Sequence, residues 1–374
     1  MDRIKSSLQD TNTDYYIYDL TELERRINWI RSVTNHDIYY AVKANSNLKI
    51  LETLVNYVSG FEVASPGEIE KVRSISNEVP IIYGGPVKTT SDLSYALEAH
   101  VQSIQIESLF ELDSLQTLLT NTTQHINVMI RINLSDIEST ATLKMAGVPT
   151  QFGMPDTDID EAIRICEQSE HITFIGFHFH SMSNNLDEDA HVQFIHHAIE
   201  YTNQYQSYLP EDYVINVGGG IGIDYSEQKA FDFDYFATRI HHLPTLTFEL
   251  GRFITAPIGY YAAHVFDIKQ MHNEYFVLLN GGTNHFRFPK AWNHHQPFEI
   301  LSMHDNRDRI KEVTNETVTL SGKLCTPNDV FGPPYKVKHI QTGDWVVFKL
   351  AGSYGYDISH LQFLSHQLPI IQYI

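Results

Sequence analysis

Three groups of residues with potential chemistry follow runs of β-branched and aromatic side chains, and Lys43 is the first. It comes directly after Ile38–Val42, in the segment YYAVKANSN. An apolar neighbourhood lowers the pKa of a lysine and frees an amine that forms Schiff bases with carbonyl compounds. A lysine that only extends from a strand end into solvent is the alternative explanation of this feature taken alone.

The run Gly218-Gly219-Gly220, in VGGGIG, is the second group. Because glycine has no Cβ, backbone N–H groups in such a run can approach a phosphate closely. The run is not a dinucleotide-binding fingerprint, since the last required glycine would fall on Ile223. A tight turn explains the run equally well when it is considered alone.

The third group is Glu249 and Arg252 in ELGR, together with His180 and Ser183 in GFHFHSMSNN. A carboxylate can pair with the protonated ring nitrogen of pyridoxal 5′-phosphate (PLP), and an arginine or a serine can bind its phosphate. An imidazole can stack on the planar ring. An ordinary ion pair and a buried structural histidine are the alternatives, and His178 shares a strand face with His180.

Cys325, in GKLCTPNDVF, is one of only two cysteines, and Cys166 is the other. A lone cysteine is more often a small buried apolar residue, but beside a polar turn it can also be a general acid. Two cysteines in 374 residues do not make a disulfide scaffold, so we expect a reducing, cytoplasmic environment.

The elements that position these residues alternate regularly along the chain. Eight strand-like runs are separated by amphipathic stretches of helical period: 38–42, 60–64, 81–84, 103–107, 128–133, 174–180, 214–217 and 245–249. This alternation indicates parallel strands joined by helices, and eight units predict an α/β fold of the (β/α)8 TIM-barrel type. An open, doubly wound sheet is the alternative.

The strand ends favour the barrel, because barrel enzymes carry their chemistry at the carboxyl ends of the strands. Six of the eight predicted ends have an ionisable residue or a histidine: Lys43, Glu62, Glu107, Arg131, His180 and Glu249. Beyond Arg252 the chain reads as short strands with turn signals such as GG, PN and GPP. We predict a barrel over 21–255 and an all-β domain over 256–374, which the strand within 1–20 joins.

Composition excludes several classes of function. The net charge of −20 disfavours nucleic acid and anionic membranes as partners. There is no apolar run of about 18 residues and no apolar core of a secretory signal at the start. The 20 histidines include no HExxH zinc spacing, so no metal site is predicted.

Seven motifs in a fixed order carry a resemblance to a known family: YAVKAN, GFEVASPGEI, FHFHS, VGGGIG, ELGRF, LCTPNDVF and AGSYGY. From Tyr15 to Tyr356 the chain resembles the alanine-racemase-fold (fold-type III) PLP enzymes, in the branch of ornithine and diaminopimelate decarboxylases. The resemblance implies PLP as cofactor and a homodimer with shared active sites, in which the cysteine comes from the second subunit. Alanine racemases have an arginine in the place of Glu249, which therefore favours decarboxylation.

The resemblance also implies roles for individual residues. Lys43 is implied to hold PLP, Glu62 to support that lysine, and Cys325 to return a proton after carbon dioxide leaves. The other implied cofactor contacts are Arg131 at the ring oxygen, His180 on the ring face, Glu249 at the ring nitrogen, and Ser183, Gly218, Gly219, Gly220, Arg252 and Tyr354 at the phosphate.

The predicted substrate-binding residues depart from the simple diamino-acid decarboxylases. Thr326 stands where that family usually has an acidic residue for a distal amine. His285, Arg287 and Lys290 make the local stretch basic, and Lys144 is a further candidate for this region. These features resemble the siderophore decarboxylases of the staphyloferrin B type, which act on a citryl-diaminopropionate conjugate. We therefore expect a small, carboxylate-rich amino-acid substrate.

Four alternatives remain open at this stage. The chain could decarboxylate diaminopimelate or another diamino acid, or it could be an amino-acid racemase. It could also be a non-catalytic relative of the decarboxylases that acts as a regulator, which the intact Lys43, Glu249, Arg252 and Cys325 disfavour. A single-barrel PLP carrier is disfavoured by the large β domain.

Overall fold

The computed structural model describes residues 1–134, 150–287, 295–303 and 310–374, together with the backbone of 143–144. These residues divide into two units. The barrel unit comprises 24–223 and 230–253, and the β unit comprises 1–23, 224–229 and 254–374. No helix in the described part of the chain combines the length and the apolar character needed to cross a bilayer.

Eight parallel strands close into a barrel, which confirms the predicted TIM-barrel fold and excludes the open sheet. Each predicted strand is present, with bounds shifted by at most two residues. The barrel strands are β2 (Asp37–Ala41), β3 (Gly60–Val63), β4 (Ile81–Tyr83), β5 (Ser103–Ile106), β6 (Ile126–Ile132), β8 (Ile172–Phe179), β10 (Val214–Asn216) and β11 (Leu246–Leu250). Two short strands, β7 (Leu143–Lys144) and β9 (Met182–Ser183), pair antiparallel.

Helices among the described residues alternate with the barrel strands, as the amphipathic pattern predicts, and one short helix precedes the first strand. They are α1 (Asp2–Ser7), α2 (Leu20–Val33), α3 (Leu48–Leu54), α4 (Pro66–Ile75), α5 (Thr90–Glu98), α6 (Leu109–Leu119), α7 (Asp156–Gln168), α8 (Glu188–Asn203), α9 (Phe233–Ile240) and the single turn α10 (Arg252–Thr255).

Short connections fix the direction of the strand ends. Only Ala64 and Ser65 separate β3 from α4, and the Ser65 side chain accepts a hydrogen bond from the Glu68 backbone N–H. Ser108 caps α6 in the same way through the backbone N–H of Glu111. Because these caps satisfy helix N–H groups, each helix begins soon after its strand, and the side chains at the strand ends are held firmly.

A buried apolar cluster is built by five barrel strands. Tyr39, Ile82 and Met129 are buried together, and Ile175 and Val214 pack against them. Polar residues on the same strands, closer to the carboxyl ends, lie beyond this cluster. The barrel therefore has a closed apolar base and a polar end, as barrel enzymes do.

The β unit is a sheet-rich body built mainly from the C-terminal third of the chain. Its strands are β1 (Tyr15–Tyr18), β12 (Gly259–Met271), β13 (Glu274–Leu279), β14 (Phe298–Leu301), β15 (Glu312–Thr314), β16 (Thr317–Ser321), β17 (Tyr335–Lys336), β18 (His339–Gln341), β19 (Trp345–Phe348) and β20 (Ile370–Tyr373). β1 lies between β12 and β20. Its core includes Tyr15, Ile17, Ala262, Trp345 and Val347.

Candidate active site

Lys43 and Glu62 form an ion pair at the carboxyl ends of two neighbouring barrel strands. Lys43 lies in a 3-10 turn that directly follows β2, and Glu62 is paired with Ala41 in the β2–β3 register. The Lys43 Nζ lies 3.0 Å and 3.2 Å from the two Glu62 carboxylate oxygens. Burial raises the pKa of Glu62, against the opposing effect of the Lys43 ammonium. The lysine amine is thus held at the polar end of the barrel by one buried carboxylate.

Glu249, near the end of β11, has a side chain that is only 1% exposed. Its Oε1 accepts hydrogen bonds from Gln105 Nε2 at 2.5 Å and Asn216 Nδ2 at 2.8 Å. Its Oε2 has no hydrogen-bond partner among the described residues and faces His178 Nε2 at 3.5 Å. Burial alone would raise the pKa of Glu249, but His178, His180 and Lys43 together lower it well below its usual range. The site therefore offers an ionised carboxylate with one open oxygen.

The glycine run follows β10 and passes very close to other backbone segments. Gly218 and Gly220 have φ values of +65° and +97°, which favour glycine. A Cβ at Gly218 would lie 2.6 Å from His180 Nδ1, and a Cβ at Gly220 would lie 2.7 Å from the Met182 carbonyl oxygen. Only glycine fits these positions, so the loop packs directly against His180 and the Met182 backbone at the barrel end.

His180 follows β8 directly, and its side chain is 13% exposed. The Gly219 backbone N–H donates a hydrogen bond to His180 Nδ1 at 3.3 Å, which requires an unprotonated Nδ1. Burial, assisted by Lys43 and Arg131, lowers the pKa of His180 to about 4. The imidazole is thus neutral at neutral pH and presents a planar face. Ser183 lies three residues further on, in β9, and is half-buried.

Arg131 is fixed by two contacts in the barrel unit. Its Nη1 lies 2.7 Å from Glu107 Oε1, and its guanidinium lies 4.7 Å from the centre of the Phe152 ring. The other Glu107 oxygen accepts a hydrogen bond from the Gly153 backbone N–H at 2.8 Å. Arg252 begins α10, and only Gly251 separates it from β11. One guanidinium group therefore belongs to the last residues of β6, and the other comes shortly after β11.

Cys325 and Thr326 belong to the β unit, in a turn tied down by Asp329. The Asp329 carboxylate accepts hydrogen bonds from the backbone N–H groups of Leu324 and Thr283, both at 2.7 Å. Cys325 itself is exposed, whereas Cys166 is buried in the barrel unit. The cysteine turn is therefore ordered but accessible.

The remaining sequence-predicted residues differ in their surroundings. His285 is completely buried, and its Nδ1 lies 2.8 Å from Asp14 Oδ2. Arg287 is exposed, with its backbone N–H bonded to Ser359 Oγ at 3.0 Å. Tyr354 is half-buried with a φ of +58°. The Lys144 side chain lies outside the described residues, as does Lys290.

One group in the described residues also meets the distance requirement of a metal site. The ligand atoms of His178, His180 and Glu249 lie within 4.8 Å of one another. However, His180 Nδ1 already accepts the Gly219 N–H, which occupies the lone pair a metal would need. The arrangement suits an organic group that leaves this hydrogen bond in place.

Sequence reasoning missed Gln105 and Asn216, and it noted Glu107 only as a strand-end residue. Gln105 and Asn216 are polar residues inside the buried strands β5 and β10, with exposures of 1% and 0%. A polar residue in a buried strand is itself a signal, because burial of an unpaired amide is costly. The sequence does not reveal which partner satisfies it.

These features fit PLP. Glu249 Oε2 is a buried acceptor without a partner among the described residues, the Lys43 amine is at the same barrel end, and the glycine loop packs against the backbone of Glu249. The pyridoxal-binding domain of the pyridoxal-dependent decarboxylases matches residues 20–256. The chain belongs to this family of PLP-dependent carboxy-lyases.

Particular relatives refine this membership. A Staphylococcus aureus protein named 2-[(L-alanin-3-ylcarbamoyl)methyl]-2-hydroxybutanedioate decarboxylase is 42% identical, covering 96% of this chain and 94% of that protein. The L-glutamyl-[acyl-carrier protein] decarboxylase of Niallia circulans is 32% identical over 96% of this chain and 88% of its own length. The crystal structure of Helicobacter pylori diaminopimelate decarboxylase with L-lysine has a TM-score of 0.86 at 23% identity, and covers 100% of this chain and 94% of that one. This last likeness shows the fold alone.

Proposed function

We propose that this chain removes the α-carboxylate of an amino acid whose side chain is joined to citrate by an amide, the conjugate 2-[(L-alanin-3-ylcarbamoyl)methyl]-2-hydroxybutanedioate, in the biosynthesis of a carboxylate siderophore. The observation that carries the proposal is the 42% identity to the S. aureus decarboxylase of that conjugate, over 96% of this chain. The diaminopimelate decarboxylase of Bacteroides thetaiotaomicron is only 28% identical over 92% of the chain.

The substrate class is supported by what the two more similar relatives have in common. Both are named for an amino acid joined to a larger group by an acyl linkage, and neither name includes a free distal amine. Thr326 agrees with this, because a hydroxyl does not attract an ammonium group as a carboxylate would. Arg287, exposed and cationic, is our proposed contact for the citrate carboxylates.

Each residue at the barrel end has a proposed task. Lys43 holds the cofactor, and Glu62 keeps the lysine in place through the contacts at 3.0 and 3.2 Å. Glu249 receives the ring nitrogen at Oε2, His180 lies against the ring, and Arg131 binds the ring oxygen. The proposed phosphate contacts are Ser183, Gly218, Gly219, Gly220, Arg252 and Tyr354. When bound, PLP supplies an electron sink for the bond that breaks at the α carbon.

Cys325 is the proposed proton donor. Carbon dioxide departs from the α carbon, and the exposed Cys325 thiol then delivers a proton to the same carbon. We further propose a homodimer in which Cys325 serves the partner's site. Mixing equal amounts of Lys43→Ala and Cys325→Ala proteins tests this, because half of the dimers would then be mixed and each would have one intact site. Recovery of about a quarter of the wild-type activity is expected, and absence of recovery would refute site sharing.

Carbon dioxide release from purified, PLP-loaded protein tests the substrate. We expect release from the citrate conjugate, and little from meso-diaminopimelate or from free 2,3-diaminopropionate. Arg287→Gln should raise the KM for the conjugate at least about tenfold, since one charged contact is lost. Arg3→Gln, at an exposed arginine of the same unit, is the matched control. Faster carbon dioxide release from diaminopimelate than from the conjugate would refute the proposed substrate. Exchange of the α proton without carbon dioxide release would indicate a racemase.

A further inference from the structure

The Glu249 carboxylate is held asymmetrically by two neutral side chains. Both amide donors, Gln105 Nε2 and Asn216 Nδ2, bind the same oxygen, Oε1. Oε2 receives no hydrogen bond from any described residue, although it is buried. Two fixed donors on one oxygen prevent the carboxylate from rotating, so Oε2 is the oxygen that stays open.

The chemistry of the contacts fixes the orientation of both amides. An ionised carboxylate only accepts hydrogen bonds, so each amide must turn its NH2 group toward Glu249. The oxygen of Asn216 then accepts the backbone N–H of Gly218 at 2.8 Å. The oxygen of Gln105 occupies the space beside Gly84, where a Cβ would lie only 2.3 Å from it.

Neutral donors suit a carboxylate that has to attract a ring proton. An arginine in the same place would hold the carboxylate but also cancel its charge, which would weaken the attraction for a protonated nitrogen. Two amides orient the group and leave its negative charge intact. Asn216 makes a second contact as well, because its side chain connects Glu249 to Gly218, the first glycine of the loop.

We propose that Gln105 and Asn216 are positioning residues that present Glu249 Oε2 to the ring nitrogen of PLP, and that Asn216 links this contact to the glycine loop at the phosphate. The inference rests on the role proposed above for Glu249. Neither residue has to touch the cofactor, since both act through Glu249 and, for Asn216, through Gly218.

Cofactor analogues separate this role from a purely structural one. Apo protein is titrated with PLP, with an analogue whose ring nitrogen is replaced by CH (deaza-PLP), and with pyridoxal, which lacks the phosphate. Two ratios are measured: the preference for PLP over deaza-PLP reports the ring-nitrogen contact, and the preference for PLP over pyridoxal reports the phosphate loop. No substrate enters the measurement.

Three variants distinguish the hydrogen bonds to Glu249 from the hydrogen bond between Asn216 and Gly218. Gln105→Leu removes one donor, and we expect the preference over deaza-PLP to fall about tenfold. Asn216→Asp replaces the donor with an oxygen 2.8 Å from Oε1, so the two carboxylates share a proton. We expect the preference for PLP over deaza-PLP to fall and the preference for PLP over pyridoxal to stay at the wild-type value. Asn216→Leu breaks both links, so both preferences fall.

Thr202→Val is the matched control. Thr202 is buried in the barrel unit, and its hydroxyl donates to the Ala198 carbonyl, so the variant loses one buried hydrogen bond outside the site. It should keep both preferences of the wild type.

The outcomes discriminate between the proposals. Wild-type ratios in Gln105→Leu and Asn216→Asp would overturn this inference, as would an equal loss of affinity for PLP and deaza-PLP. A wild type that does not prefer PLP over deaza-PLP would overturn the role of Glu249 and this inference with it. A wild type that discriminates as expected but releases no carbon dioxide from the citrate conjugate would refute only the substrate.

Discussion

Acid should destabilise the barrel unit through His191, a buried histidine of α8. The side chain is 0% exposed, and the rings of Phe194 and Phe236 lie 5.9 and 5.3 Å away. Its Nδ1 lies 3.4 Å from Asn185 Nδ2. Burial, with a smaller contribution from His180, lowers its pKa from 6.5 to about 3. The folded protein therefore keeps a neutral imidazole at pH values where the unfolded chain binds a proton.

The magnitude follows from linkage between folding and protonation. The unfolded state gains a proton as the pH falls below 6.5, and the folded state does so only near pH 3. The stability associated with neutral His191 is thus fully present above the unfolded pKa and decreases as the pH falls through this window. pH 5 lies about 1.5 units below the pKa of the unfolded state, so protonation of His191 in the unfolded chain lowers the free energy of unfolding by about 2 kcal/mol.

Urea unfolding of the PLP-free protein at pH 7 and pH 5 measures this effect. Between the two pH values, we expect the His191→Gln variant to lose about 2 kcal/mol less unfolding free energy than the wild type. His197→Gln is the matched control, because His197 is exposed on the same helix. Equal pH dependence of His191→Gln and the wild type would refute the argument that burial keeps this imidazole neutral.

Three further predictions concern other titratable side chains. Lys43→Ala should remove the visible absorption band of the PLP-loaded protein, whereas Lys49→Ala, at an exposed lysine, should keep it; a retained band in the first variant would place the cofactor elsewhere. Lys88 Nζ is completely buried 2.5 Å from Glu111 Oε1, so Lys88→Met should cost about 3–5 kcal/mol in unfolding free energy. Much of that loss should return in the double variant with Glu111→Leu, and a single-variant cost under 1 kcal/mol in urea unfolding would contradict a desolvated pair. Finally, a thiol reagent should label one cysteine in the native protein and two after unfolding. The reason is that burial raises the pKa of Cys166 to about 12, whereas Cys325 is exposed. Labelling of the native Cys325→Ser variant would refute this prediction.

Local pattern was sufficient to predict the barrel strands and the residues that follow them. Each strand is a short run of β-branched and aromatic residues, the stretches between them have helical period, and some helices begin at a capping residue such as Ser65. These signals act over a few residues, so they can be recognised without the tertiary fold. Lys43, Glu62, His180 and Glu249 were identified because a strand end in a barrel determines where its side chain lies.

Pairings between distant segments could not be predicted in this way. Gln105 and Glu249 are separated by 144 positions, and they meet only because the barrel closes. His285 appeared from its neighbours in the chain to belong to a basic stretch, but it is buried against Asp14, 271 positions away. A periodic pattern shows that a side chain is buried, but not which partner satisfies it.

The sequence by itself thus determined the fold class, the cofactor and the residues at the strand ends, since all of these depend on local composition and on motifs of a few residues. Only the tertiary structure decided how Glu249 is oriented, that Arg131 is held by Glu107, and that His180 is neutral. The physical reason is that orientation and charge state depend on burial and on hydrogen-bond partners, and these are set by which strands become neighbours when the barrel closes.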